Sequence, residues 1–140
     1  MQISDKTRAK TRWTARGAAV FCAAFAGFQA ALALGAPFGR MTWGGQSDVL
    51  PNNMRAASAG AAAYLLLAGA AMLVRSRDWG RRLPQAPFRW FNVLLTIQLA
   101  LNTAANLASQ TAAEKFGMGS ATAIGFGLCL FAAIPKRLAD

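Results

Sequence analysis

The chain has 140 residues, 55 % of them hydrophobic and 14 % charged, with 15 Lys plus Arg against 5 Asp plus Glu and a formal charge of +10. So apolar a composition excludes a disordered chain, and two Cys are too few for a secreted module built on disulfides. There is no His, so neither a histidine-ligated metal site nor a histidine-based triad can be assembled from this chain.

Four runs carry no charged residue: 17–36, 56–74, 90–113 and 116–135. A helix needs roughly 20 apolar residues to cross a ~30 Å hydrocarbon core. The runs therefore predict four transmembrane helices, over about 17–36, 56–74, 90–110 and 117–135. Hydrocarbon offers the backbone no partners, so each span must be a helix or a strand of a closed barrel. Barrel strands alternate apolar and polar residues, and runs such as Ala61 to Ala68 do not. A soluble bundle would carry a polar stripe on every helix, whereas here the polar residues gather between the runs. Much of the apolar content is Ala, which keeps the mean hydropathy at a modest +0.31.

In chain order, a basic segment comes first, with Lys6, Arg8, Lys10, Arg12 and Arg16. It reads foremost as a topology signal and secondarily as a contact for anionic headgroups. The first run holds Cys22 and, towards its far end, Gln29. The basic start and the Ala31-Leu32-Ala33 triplet also suit a signal peptide, but the run of 20 exceeds the ~7–15 residues of a signal core, so a retained span is expected. The linker 37–53 is rich in Gly and contains Phe38, Arg40, Trp43 and Asp48. Its aromatic residues suit an interfacial position. Arg55 and Ser58 open the second helix. The second linker, 75–87, carries Arg75, Arg77, Arg81 and Arg82, with Pro84 and Pro87 expected to block helix continuation. The third helix has Arg89 at its start and Gln98, Asn102 and Asn106 at a spacing of four, a slowly drifting stripe on one face. A short linker with Glu114 and Lys115 leads to the fourth helix, which contains Ser120, Thr122 and Cys129. Small residues four apart, such as Ala19, Ala23 and Gly27, Ala56 and Gly60, or Ala121 and Gly125, would let helices approach closely.

Twelve of the basic residues fall before the first run, between the second and third, or after the fourth, and only Arg40, Arg55 and Lys115 fall on the opposite side. Cytoplasmic loops carry the Lys/Arg excess, so both termini are expected in the cytoplasm. Trp13, Trp79 and Trp90 would then mark the inner interface and Trp43 the outer one. No nucleic-acid-binding module accompanies the charge.

No Asp, Glu, Lys or Arg lies inside a predicted span, although proton- and ion-coupled transporters usually place one there. Small four-helix multidrug antiporters, similar in size and layout, rely on an acidic residue in the first helix; run 17–36 has none. What remains inside is neutral. Gln29, Ser58, Asn102 and Asn106 map to the outer side together with the linker residues Arg40 and Trp43 and with Arg55, and Gln98 continues the stripe of Asn102 and Asn106. They form either an interhelical hydrogen-bond network or a small pocket, lidded by the first linker, for a lipid headgroup or another amphiphile. Asp48, Glu114 and Lys115 read as solvated loop charges, and Cys22 and Cys129 as buried, inert thiols of neighbouring helices.

The stretch Gly35-Ala36-Pro37-Phe38-Gly39, Trp43-Gly44-Gly45, Leu50-Pro51 and then Arg55 resembles a pattern in uncharacterised small bacterial four-helix integral membrane proteins. The resemblance covers about 20 residues of the first outer linker and the four-span layout. It implies a bacterial inner-membrane location and no particular catalytic residue. The sequence thus predicts one all-α membrane domain over 1–140, an up-down bundle with both termini cytoplasmic. Its expected role is a non-enzymatic binding or accessory subunit, the alternative being a facilitative transporter or channel component built as a homo-oligomer. Expected partners are membrane lipids and a second copy or another membrane protein. No catalytic set, cofactor, metal or nucleic acid is indicated.

Overall fold

The computed structural model describes residues 5–80 and 82–133, with side chains from residue 9 onward. The side chains of Lys6 and Arg8, all of Arg81, Lys136 and Arg137, and residues 134–135 of the expected fourth span lie outside the described part. The described chain is all-helical: α1 (Asp5–Ala33), α2 (Asn52–Arg75), α3 (Gln85–Leu107) and α4 (Gly119–Ala133), with a 3-10 turn at Gly39–Met41 and a π-helical stretch at Ala113–Met118. Three segments, Ala9–Ala33, Asn52–Arg75 and Ala113–Ala133, are long and apolar enough to cross a membrane, as befits a membrane protein. α3 is long enough but less apolar, because it carries Gln85, Arg89, Asn92, Gln98, Asn102 and Asn106 along its length.

Helix boundaries depart from the charge-free runs for local reasons. α1 begins at Asp5, twelve residues before the first run, because 5–16 contains neither Gly nor Pro and is built largely of good helix formers. At 1.5 Å per residue its 29 residues reach about 43 Å, so the basic first three turns extend past a ~30 Å apolar layer. Pro51 and Pro84 immediately precede α2 and α3. Pro87, expected to stop a helix, sits instead in the first turn of α3. That turn has no intrahelical use for the missing N–H, so the ring is tolerated there.

α1 packs chiefly against α2 and also against α4, and α3 packs chiefly against α4. The remaining side of the square, between α2 and α3, is the most weakly closed of the four. The buried core centres on Ala18, Ala19, Cys22, Ala68, Met72, Leu95, Leu99 and Cys129. Both thiols are free and fully buried in it. Gly69 faces Cys22 and Ala19 of α1, and Gly125 lies against the Phe21 ring. Of the other small residues singled out by spacing, Gly27 and Gly60 are exposed, with open space before them. Large apolar side chains also point outward along all four helices, among them Val20, Leu67, Leu101 and Ile124. Such a belt would be an unusual surface in water and is the ordinary one in lipid.

Arg12 and Arg55 each donate to a carbonyl at the C-terminal end of a neighbouring helix: Arg12 Nε reaches Ser76 O beyond α2 (3.2 Å) and Arg55 Nε reaches Ala33 O of α1 (2.8 Å). The last carbonyls of a helix lack intrahelical partners and sit at the negative end of its dipole, so these two guanidiniums satisfy both needs. Arg75 Nη2 donates to Ala132 O of α4 (2.9 Å). Arg16 makes a two-pronged pair with Asp78, 2.7 and 2.6 Å, which also accepts from Ser76 Oγ. These bonds tie the start of α1 to the α2–α3 loop and hold the Asp78 carboxyl well below the usual carboxylate range, with the Arg16 hydrogen bond the largest cause.

Candidate functional site

A cavity of about 330 Å³ lies between the four helices at the end bearing the 34–51 loop. Its walls come from all four helices, the loop and the π-helical stretch. α1 supplies Phe21, Phe25 and Gln29, and α2 supplies Ala61, Tyr64 and Leu65. The α3 side is Gln98, Asn102 and Asn106, set above Leu95 and Leu99. The loop contributes Thr42 and Trp43, and the π-helical segment and α4 contribute Glu114, Met118 and Thr122.

The amide stripe of α3 divides by depth of burial. Asn106 is half-buried and donates through Nδ2 to Thr122 Oγ1 at 3.4 Å, an oxygen also within 3.1 Å of Thr103 Oγ1. Asn106 thereby belongs to an α3–α4 hydrogen-bond network. Gln98 and Asn102 line the cavity but are exposed, at the weakly closed side between α2 and α3. An amide facing hydrocarbon there costs a few kcal/mol unless it finds a partner. Gln29 is 8 % exposed, and its Oε1 is buried with no hydrogen-bond partner.

The cavity is roofed by the loop. Trp43 Nε1 donates to Ser58 Oγ of α2 at 3.0 Å, and Gly44 N donates to Glu114 Oε1 at 3.2 Å. Gly45 lies so close to Thr111 and to the Arg40 carbonyl that a Cβ would collide with both. Gly44 and Gly45 have φ of 86° and 66°, and Trp43 itself has φ of 54°. Glycine adopts these angles freely, whereas Trp43 is strained.

Glu114 is 7 % exposed and does not behave as a solvated loop charge. It accepts from Ser109 Oγ at 2.6 Å as well as from Gly44. Among the described residues no Lys or Arg nitrogen comes within 4.0 Å of it, the two ion pairs being Arg16–Asp78 and Arg40–Asp48. It lies in the π-helical stretch, in which Glu114 and Met118 are buried while Lys115 and Phe116 stay exposed. Wide turns of this kind recur at functional sites.

Five of the residues picked out from the sequence, Gln29, Trp43, Gln98, Asn102 and Asn106, line this one cavity. Three stand elsewhere: Arg40 pairs with Asp48 on the loop surface (2.6 Å), Arg55 caps α1, and Ser58 is buried behind Trp43. The Asp48 carboxylate is engaged by Arg40, and the Glu114 carboxylate by Ser109 and Gly44. Phe21, Phe25, Thr42, Tyr64 and Glu114 were not anticipated as lining residues. Glu114 left a trace in the sequence, as the acid beside Lys115 in the short linker before the fourth helix. The described residues contain no grouping of His, Cys, Asp and Glu able to hold a metal ion. No protein-family model, no curated protein and no solved structure matches the chain.

Proposed function

We propose that this protein spans a bacterial inner membrane four times, with both termini in the cytoplasm, and binds an amphiphile in the cavity at the outer end of its bundle. It acts as a binding or accessory subunit. α3 serves as the fourth span in this reading. Its 23 residues extend about 35 Å, and its amides are directed to the cavity and to α4. Among the described residues Lys10, Arg12, Arg16, Arg75, Arg77, Arg82 and Arg89 gather at one end of the helices, and Arg40, Arg55 and Lys115 at the other. That asymmetry supports the orientation. The exposed indoles of Trp13, Trp79 and Trp90 at the basic end, and Trp43 at the other, suit two interfaces.

The observation that carries the functional reading is the pairing of an amide-lined cavity with a weakly closed side of the bundle. Gln98 and Asn102 offer donors and acceptors at a place where lipid alone would leave them unsatisfied. The lower wall, with Leu65, Leu95 and Leu99, is apolar and suits a hydrocarbon chain. The test is native mass spectrometry of the detergent-purified protein loaded with mixed phospholipids. The wild type retains lipid, and the double variant Gln98→Leu, Asn102→Leu loses it. Both side chains are exposed, so the double variant should fold; equal retention would remove the basis of the proposal. Reporter fusions at Ser47 and Asp78 report opposite compartments if the orientation is right.

A further inference from the structure

The ligand's polar end follows from the buried acceptors of the cavity. Gln29 Oε1 is buried without a donor, and Gln29 is more than nine-tenths buried. Glu114, equally buried, carries a carboxylate whose two hydrogen-bond donors, Ser109 and Gly44, are both neutral. A carboxylate has about four acceptor sites, so two are left without a donor in this cavity-lining residue. An ionised carboxylate held by neutral donors alone is costly to bury, and a cation beside it offsets that cost. Phe25, Tyr64 and Trp43 complete the surroundings, and aromatic faces attract ammonium groups. The amides of Gln98 and Asn102 lie further round the wall and supply N–H donors for an adjoining acidic group.

We infer that the cavity recognises a protonated primary amine carried on an amphiphile, with Glu114 neutralising the ammonium and Gln29 accepting one of its N–H groups. The inference rests on the amphiphile-binding reading and adds the chemistry of the headgroup. A carboxylate or phosphate at the same position would be repelled by the Glu114 carboxylate, and a quaternary ammonium would leave Gln29 Oε1 unsatisfied. The same ammonium is presented by an aminophospholipid and by a single-chain alkylamine.

Full-length protein in detergent is loaded with phosphatidylethanolamine, phosphatidylcholine, phosphatidylglycerol or dodecylamine, one at a time, and retention is read by native mass spectrometry. Wild type retains the two primary amines about tenfold better than phosphatidylglycerol, and Glu114→Gln removes that preference, as expected for the loss of a charge-assisted hydrogen bond. Gln29→Met keeps side-chain volume, leaves the loop contacts untouched and lowers primary-amine retention several-fold, so it decides the matter should Glu114→Gln misfold. Stronger retention of phosphatidylethanolamine than of dodecylamine assigns the lipid as the source, and the reverse order assigns a free amine; both sustain the inference. Phosphatidylglycerol held as well as the amines, or indifference to both substitutions in a protein that still depends on Gln98 and Asn102, overturns the inference while leaving the amphiphile site standing. Retention of none of the four overturns both.

Discussion

The contact between Gly125 and Phe21 links the packing of the bundle to the size of the cavity. A Cβ added at Gly125 would enter the space of the Phe21 ring, touching three of its carbons. The ring cannot retreat along α1, because it is stacked on Phe25 with centroids 4.4 Å apart. Its free direction is into the cavity that both phenylalanines line. Gly125→Ala should therefore overpack the α1–α4 contact at a cost of about 1–3 kcal/mol and push an aromatic ring into about 330 Å³ of open space. The expected result is a lowered midpoint of thermal unfolding in detergent together with a loss of ligand retention. Phe21→Leu shortens the opposing side chain, so the double variant Gly125→Ala, Phe21→Leu should recover much of the stability. A coupling of about 1 kcal/mol or more between the two positions is expected for residues in direct contact. Gly125→Ala with wild-type stability and undiminished retention, or strict additivity with Phe21→Leu, would refute the reasoning.

The other predictions rest on single contacts. Arg55→Leu removes the guanidinium from the Ala33 carbonyl and should lower stability by about 1–2 kcal/mol; its effect on ligand retention should be small, because Arg55 does not line the cavity. Asn92 is fully buried, donates to Cys129 O at 3.2 Å and leaves its own Oδ1 unpartnered. Asn92→Leu should change stability by less than about 2 kcal/mol, one interhelical hydrogen bond being traded against one desolvated oxygen, whereas Asn92→Asp should destabilise far more by burying a charge; chemical denaturation of the two side by side checks the order. The Asp78 carboxyl titrates below its ordinary range because of Arg16 and then Ser76. Since the folded value is the lower one, its contribution is present above the unfolded carboxyl value of about 4 and is lost as pH falls below it. Asp78→Asn should accordingly be less stable than wild type at pH 7, by a small margin for so exposed a pair, with the two melting curves converging on acidification.

The helices were legible because hydrophobic runs of bilayer length are a one-dimensional signal. Their ends were not, since these depend on three-dimensional capping and on the placement of single residues. Pro87 looks like a helix breaker in the sequence and is harmless only because α3 begins two residues before it. The basic segment before the first run looks like a loop, yet it has the composition of a helix and continues α1. Within the cavity, Gln98, Asn102 and Asn106 were legible from a spacing of four, and Gln29 from its depth in the first run. Glu114 was not, because the residues that enclose it, Gly44 and Ser109, come from loops whose positions only the fold supplies. Arg40 and Arg55 drew attention as outer charges, but a charge in a sequence does not reveal whether it faces a ligand, a neighbouring carboxylate or the end of a helix.

The roof decides how a ligand would arrive. The loop is pinned to α2 through Trp43 and Ser58, to the π-helical segment through Gly44 and Glu114, and against Thr111 through Gly45. A tryptophan at φ of 54° is held there against a backbone preference of order 1–3 kcal/mol, so surrounding contacts must fix it. Direct entry from the aqueous side would require breaking the Trp43 bond, the Gly44 bond and the Gly45 packing together. Entry between α2 and α3 breaks none of them, because that is where the helices touch least and where Gln98 and Asn102 are already exposed. A water-soluble ligand would have no reason to follow the lateral route. Under the proposed orientation, an amphiphile resident in the outer leaflet would meet that opening directly, with its headgroup level with Glu114 and its chain still in hydrocarbon. In the proposed reading, then, the arrangement selects for molecules already in the membrane before any headgroup chemistry is tested.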